Sequence, residues 1–358
     1  MIHPSVTRRW VAVDHPGWRQ AHASSVLAVD GGLVAAWFGG TREGTPDNRI
    51  WLAHRPAGAD TWGEPSVVAA GPEAHWNPVL AHGPDGALWL FYKRGPLISR
   101  WATWFRRSTD GGATWTEPAE LVPGDAGGRG PVKNPPLLLP DGTWLAPGSL
   151  ERWDGEAVWD AFVDRSTDGG LTWSPAPVPL DHSGLRGAGV IQPALWRGGT
   201  AVHALLRSTE GSAFRSRSDD AGRTWSPAEP TGLANGNSGL TVAELGGGAV
   251  ACVHNPVAED WGARCPLVVS VSPDDGDTWH EAVVVEDGLT PLDDDTRRRP
   301  ALPPPRSFSP ADAGVETTGV GEYSYPAAAV ADGSLVITYT WQRRGIVEAR
   351  VPLSLLHP

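Results

Sequence analysis

Lysine, cysteine and methionine are all scarce in this chain. Only two of its 29 basic residues are lysines, Lys93 and Lys133. The two cysteines, Cys252 and Cys265, are too few for a disulfide scaffold, and their spacing matches no zinc motif. Both read as reduced residues of the interior. The histidines show no metal-ligand spacing, so no metal and no cofactor is expected. No apolar run approaches the length of a membrane span. The opening residues, MIHPSVTRRWVAVDHPGW, lack the apolar stretch of a secretory signal, and a cytoplasmic location is the expectation. Positive charge is short as well. A formal net charge of −12 argues against a nucleic-acid or anionic-membrane partner, so any anion-binding chemistry must be local. Helical periodicity over ten or more residues is missing too.

What is abundant is glycine (44), proline (34) and tryptophan (19) in 358 residues. That mixture suits many short strands joined by tight turns. One eight-residue phrase recurs: STDGGATW (Ser108 to Trp115), STDGGLTW (Ser166 to Trp173), SDDAGRTW (Ser218 to Trp225) and SPDDGDTW (Ser272 to Trp279). A degenerate copy, GADTWGEP, contains Trp62. Between the copies lie six segments in which apolar alternation flanks a Gly-containing turn, such as NPVLAHGPDGALWLFY and YPAAAVADGSLVITYT. This is a hairpin signal. A period near 50 residues with about four strands each marks propeller blades. The prediction is an all-β, six-bladed β-propeller forming one domain over residues 1–358. An N-terminal strand near Trp10 to Val13 would complete the last blade. A Pro-rich, charged insertion at about 286–319 breaks the repeat and reads as a long loop. The eight-residue phrase itself reads as scaffold. Ser and Asp bond a tight turn, Gly supplies the left-handed backbone and Trp fills the space between blades. The chemistry is then expected at strand ends and loops around the axis.

The phrase is the Asp box of the sialidase (neuraminidase) superfamily, which the whole chain resembles. That resemblance implies an arginine and a catalytic aspartate five residues apart, here Arg42 and Asp47, with Glu43 as a rival acid. It implies three arginines around the substrate carboxylate. HALLRST supplies Arg207 and HNPVAEDWGARCPLVVS supplies Arg264, but His22 stands where the family has its first arginine. It implies a tyrosine nucleophile, supplied in GEYSYPAAAVADG by Tyr323, with Tyr325 as a rival on the same strand face. The family's glutamate that activates this tyrosine is replaced by Gln192.

Arginine suits a carboxylate because its planar fork donates paired hydrogen bonds and keeps its charge, whereas the charge of a histidine varies near neutral pH. A glutamine cannot take a proton from a phenol; Glu322, Glu316 and His254 are candidate substitutes. Asp47, Tyr323, Gln192 and His22 are therefore the candidate catalytic group, with Arg42, Arg207, Arg264 and Tyr325 as substrate contacts. Trp76-Asn77 and Lys133-Asn134 open blades at equivalent places and are weaker candidates. Trp37, Trp153 and Trp261 could stack on a sugar, and His203 and His254 read as structural. The leading reading is a metal-independent, sialidase-like glycoside hydrolase acting on an acidic sugar or related carboxylate. A lyase or isomerase using His22 and Tyr323 on the same fold is a second reading. A non-catalytic carbohydrate-binding propeller is a third.

Overall fold

In the computed structural model, which describes residues 1–294 and 321–356, the strands form six antiparallel sheets of four. In five of them the strands lie side by side in chain order. The inner strands of blades 1 to 5 are Gln20–Val29, His75–His82, Leu137–Leu138, Val190–Gly198 and Thr241–Gly246. Blade 6 takes Tyr323–Ala331, Ser334–Trp341 and Gly345–Pro352 from the C-terminal part, and its outer strand, Thr7–Val13, from the other end of the chain. The pairing of Thr7 with Arg350 through Val13 with Gly345 closes the ring. The six-bladed propeller and its N-terminal closing strand are therefore as expected. The insertion expected at 286–319 lies mostly outside the described residues, as does Glu316.

Apolar side chains fill the spaces between neighbouring blades. Trp89 and Phe91 of blade 2 meet Trp144 of blade 3, with ring centroids 5.2 and 5.6 Å apart, and Trp173 closes on Trp144 at 5.5 Å. Trp37 is fully buried in the corresponding cluster of blades 1 and 6. It is core, not a surface for stacking a sugar.

The four eight-residue phrases fold alike. In the first, Ser108 Oγ donates to Asp110 Oδ1 (2.7 Å), which also accepts from the Thr114 amide (2.9 Å), and the Gly112 amide donates to Ser108 Oγ (2.9 Å). In the first two phrases the Trp Nε1 also donates to that glycine's carbonyl, Trp115 to Gly112 and Trp173 to Gly170, each at 3.0 Å. At the matching place in the second phrase, Gly170 has φ +88°, which favours glycine, and a Cβ there would crowd the Trp144 ring at 3.2 Å.

Register decides which end of the propeller each feature occupies. Inner-strand starts pair with second-strand ends: Gln20 with Gly40, Val190 with Ser208, Tyr323 with Trp341. The phrases follow the ends of third strands, beginning at Ser108, Ser166, Ser218 and Ser272. They lie at the opposite end from the inner-strand starts and cannot touch anything built there.

Candidate active site

Four inner strands carry a bulge near their start. Register breaks between His22 and Ser25, Trp76 and Val79, Ile191 and Ala194, and Ser324 and Ala327. In each, one residue has left-handed backbone: Ala23 (φ +55°), Asn77 (+39°), Gln192 (+55°) and Tyr325 (+52°). Three of these four precede proline, whose missing N–H suits a break in the ladder. Side chains from other blades cap the bulges. Asn134 Nδ2 donates to the carbonyls of Gln192 (3.2 Å) and Pro193 (3.1 Å), and Lys133 Nζ, on the far side of the axis, reaches the Pro326 carbonyl.

The bulge separates the two tyrosines. Tyr323 is buried against Trp341, and its hydroxyl accepts from Gln342 Nε2 at 2.9 Å. Burial pushes this phenol up to about 12. Tyr325 instead turns toward the arginines: its hydroxyl accepts from Arg207 Nη1 at 2.8 Å and from Gln192 Nε2 at 3.4 Å. The expectation that both tyrosines share one strand face fails at this bulge, and Tyr323 is not part of the arginine cluster.

Arg207 lies one residue before the end of the second strand of blade 4, Ala201–Ser208. Its Nε donates to Asn237 Oδ1 (2.7 Å) and its Nη1 also contacts Gln192 Oε1 (3.3 Å). Trp159, Trp261 and Tyr325 surround the guanidinium with centroids 5.6–5.8 Å away. Trp261 is half-buried beside Trp159, and Trp153 lies 5.4 Å from Trp159. Arg264 precedes the third strand of blade 5, and its guanidinium lies 5.5 Å from the Tyr325 ring.

A third arginine was not anticipated. Arg343 sits in the turn joining two strands of blade 6, where Gln342 and Arg343 both have positive φ (+52° and +58°). Its Nε donates to both oxygens of Glu322 (2.8 and 2.9 Å), its Nη1 pairs with Glu43, and Arg264 Nη1 meets Glu322 Oε1 at 3.0 Å. Burial alone would raise the Glu322 carboxyl. Arg343 and Arg264 outweigh it and hold the group at about 2. Glu322 is thus committed to two arginines, and among the described residues no carboxylate lies within hydrogen-bond reach of the Tyr325 hydroxyl. His254 is also occupied elsewhere, by the Ala234 carbonyl and Ser270 Oγ.

His22 lies beside Tyr325, ring centroids 4.3 Å apart. Burial first, then Arg343, Arg264, Arg207 and Lys133, keep its pKa well below 6.5. It is therefore neutral where variable charge was expected. Arg42 and Asp47 are exposed in the blade 1 loop, at the same end of the propeller. Asp47 Oδ2 accepts from the Thr41 amide (2.8 Å) and hydroxyl (2.7 Å). Partial burial opposes ionisation there, but the bonds from Thr45 and Thr41 win and lower its pKa. The loop is tied inward by Glu43, which pairs with Arg343. The geometry therefore brings together His22, Gln192, Arg207, Arg264 and Tyr325, leaves Asp47 and Arg42 on the rim and sends Tyr323 elsewhere. Among the described residues no group of three or more His, Cys, Asp or Glu could hold a metal ion, and no helix is long and apolar enough to cross a membrane.

Residues 31–337 match the family model described as BNR repeat-like domain. No curated protein matches the chain. Among solved structures, a protein of unknown function from Dyadobacter fermentans DSM 18053 is 18% identical, with TM-score 0.69 over 97% of this chain and 99% of that one. The Hadza microbial sialidase Hz136 is 15% identical, with TM-score 0.70 over 95% of this chain and 67% of its own. NanB sialidase from Streptococcus pneumoniae is 9% identical, with TM-score 0.69 over 98% and 71%. At these identities the likeness is one of fold.

Proposed function

The chain belongs to the BNR repeat-like domain family as a divergent member of the sialidase superfamily, and from that premise we propose that it cleaves glycosides of a carboxylate-bearing sugar. One observation carries the reading: Arg207 and Arg264 both face the ring of Tyr325 at the propeller axis. Two guanidiniums facing one tyrosine ring suit a shared carboxylate, which would place the adjoining sugar carbon against the Tyr325 hydroxyl. Trp261 supplies an apolar wall beside Arg207 for a sugar face, and Trp153 adjoins it only through Trp159.

In the hydrolytic form of this proposal Tyr325, in place of Tyr323, loses its phenolic proton to solvent and attacks the anomeric carbon as the glycosidic bond to the leaving oxygen breaks. Water then displaces it, and configuration is retained. Asp47, on the rim loop that the Glu43–Arg343 pair anchors, protonates the leaving oxygen. Its lowered pKa requires the bound substrate to displace the Thr45 and Thr41 bonds first. The test is a panel of fluorogenic sialosides and uronides with products weighed by mass spectrometry. A product that has gained water is expected. Binding without turnover of every acidic glycoside would reject the proposal in favour of a binding propeller. A second reading, elimination to an unsaturated sugar, is favoured by one feature: Tyr325 accepts from two N–H donors and among the described residues has no carboxylate within reach to take its proton. Its product would carry no added water.

A further inference from the structure

His22 is 1% exposed, and its Nε2 has no hydrogen-bond partner among the described residues. A buried polar atom left unpaired is costly, so an orphan among charged groups asks what pairs with it. Its other nitrogen is occupied: Nδ1 lies 2.8 Å from Thr340 Oγ1. That hydroxyl also accepts from the Ala23 amide at 3.2 Å. Among the described residues it has no other acceptor for its own proton. The network uses every group only if Thr340 donates to Nδ1, which leaves the imidazole proton on Nε2.

The charges around the ring agree with this tautomer. Arg343, Arg264, Arg207 and Lys133 all oppose a second proton. The carboxylate of Glu322, which would favour one, is occupied by Arg264 and Arg343, and Glu43 is paired with Arg343. Tyr325 and Phe38 cover the ring, at centroid distances of 4.3 and 5.6 Å. We infer that His22 acts as a neutral donor, its Nε2–H completing the hydrogen bonding of the carboxylate that Arg207 and Arg264 hold. This rests on the proposed carboxylate site and adds to it. A neutral N–H contributes direction without a third positive charge, so binding through this residue does not depend on pH across the range where an ordinary imidazole titrates.

The experiment is nitrogen-15 NMR of the full chain labelled at histidine, with His22→Gln used for assignment, from about pH 5 to about pH 8. The expected result is a proton on Nε2, none on Nδ1, and no titration. Calorimetry with N-acetylneuraminate and with glucuronate follows. It is run at the acid end of that range, because burial lowers the Lys133 pKa to about 7 and that ammonium loses its charge within the window whatever His22 does. His22→Ala, checked for native fold by circular dichroism, should weaken binding roughly ten- to hundred-fold. A proton on Nδ1, a ring that titrates in the window, or His22→Ala binding as well as wild type would overturn the inference while leaving the carboxylate site standing. If neither acid binds, the carboxylate reading falls and takes this inference with it.

Discussion

Tyr323 and Tyr325 stand two positions apart on one strand, and a single left-handed residue gives them different surroundings. Tyr323→Phe removes one buried hydrogen bond, to Gln342, and is expected to cost about 1–2 kcal/mol of stability with kcat on an acidic glycoside unchanged. Tyr325→Phe should leave the melting temperature near wild type and reduce kcat on the order of 10²-fold or more. Equal kinetic losses in the two variants would contradict the assignment. Gln192 offers a second handle because its amide lies on both Arg207 and Tyr325. If Tyr325 attacks as a nucleophile, Gln192→Glu gives it a base, and hydrolytic kcat should rise, by at most the roughly 10²–10⁴-fold range of general base catalysis. An unchanged rate would remove tyrosine attack from the proposal. The choice between the tyrosines was open to a closer reading of the sequence. Tyr325-Pro326 aligns with Asn77-Pro78 and Gln192-Pro193 as the residue-proline pair of an inner strand, and strict alternation ignores that pair. Arg343 had no such signal. An arginine in a hairpin turn is ordinarily solvated, and only the approach of Glu43 and Glu322 from distant segments makes it part of the site.

At the scale of the element, the repeated turn was readable because its function is local. Its bonds join residues two to four apart, so one octapeptide holds the whole design. The four carboxylates Asp110, Asp168, Asp220 and Asp274 are each lowered from an ordinary 3.8 to about 2, chiefly by the threonine hydroxyl four residues on and then by backbone N–H. A carboxyl whose pKa falls on folding stabilises the fold above its unfolded value, and that contribution is lost as pH drops through the folded value. Asp168→Ala should therefore lower the melting temperature at neutral pH, and its gap from wild type should close as the medium approaches about pH 2. Thermal melts across that range check this. A constant gap would mean that the turn depends on side-chain packing and not on hydrogen bonds to the ionised form. The bulges were harder to see than the turns because their caps, such as Asn134 on Gln192, come from the next blade.

For the whole molecule, the ring is what makes residues 118 apart, Arg207 and Tyr325, into hydrogen-bond partners. Blade count and closure were readable from periodicity. The rotation of each loop about the axis was not, which is why Asp47 falls on the rim although its spacing from Arg42 is as expected. The ring in turn depends on one seam. Arg8 of the closing strand meets Glu286 Oε2 at 2.5 Å, Tyr339 donates to the same oxygen at 3.0 Å, and the Arg8 and Glu286 side chains are 7% and 2% exposed. Glu286 ends the outer strand of blade 5, so this contact joins both termini of the ring to its neighbour. Arg8→Met strands a buried carboxylate and should cost about 3–5 kcal/mol in denaturant unfolding. Adding Glu286→Gln removes the stranded charge while keeping an acceptor for Tyr339, so the double variant should recover part of the loss. The denaturant slope reports surface exposed on unfolding. If the six blades open as one unit, it should be the same in wild type and both variants. A shallower slope in Arg8→Met alone would mean that blade 6 detaches first, leaving Tyr325 away from Arg207 while the other blades stay folded, and carboxylate binding would then be lost at lower denaturant than the bulk of the sheet structure.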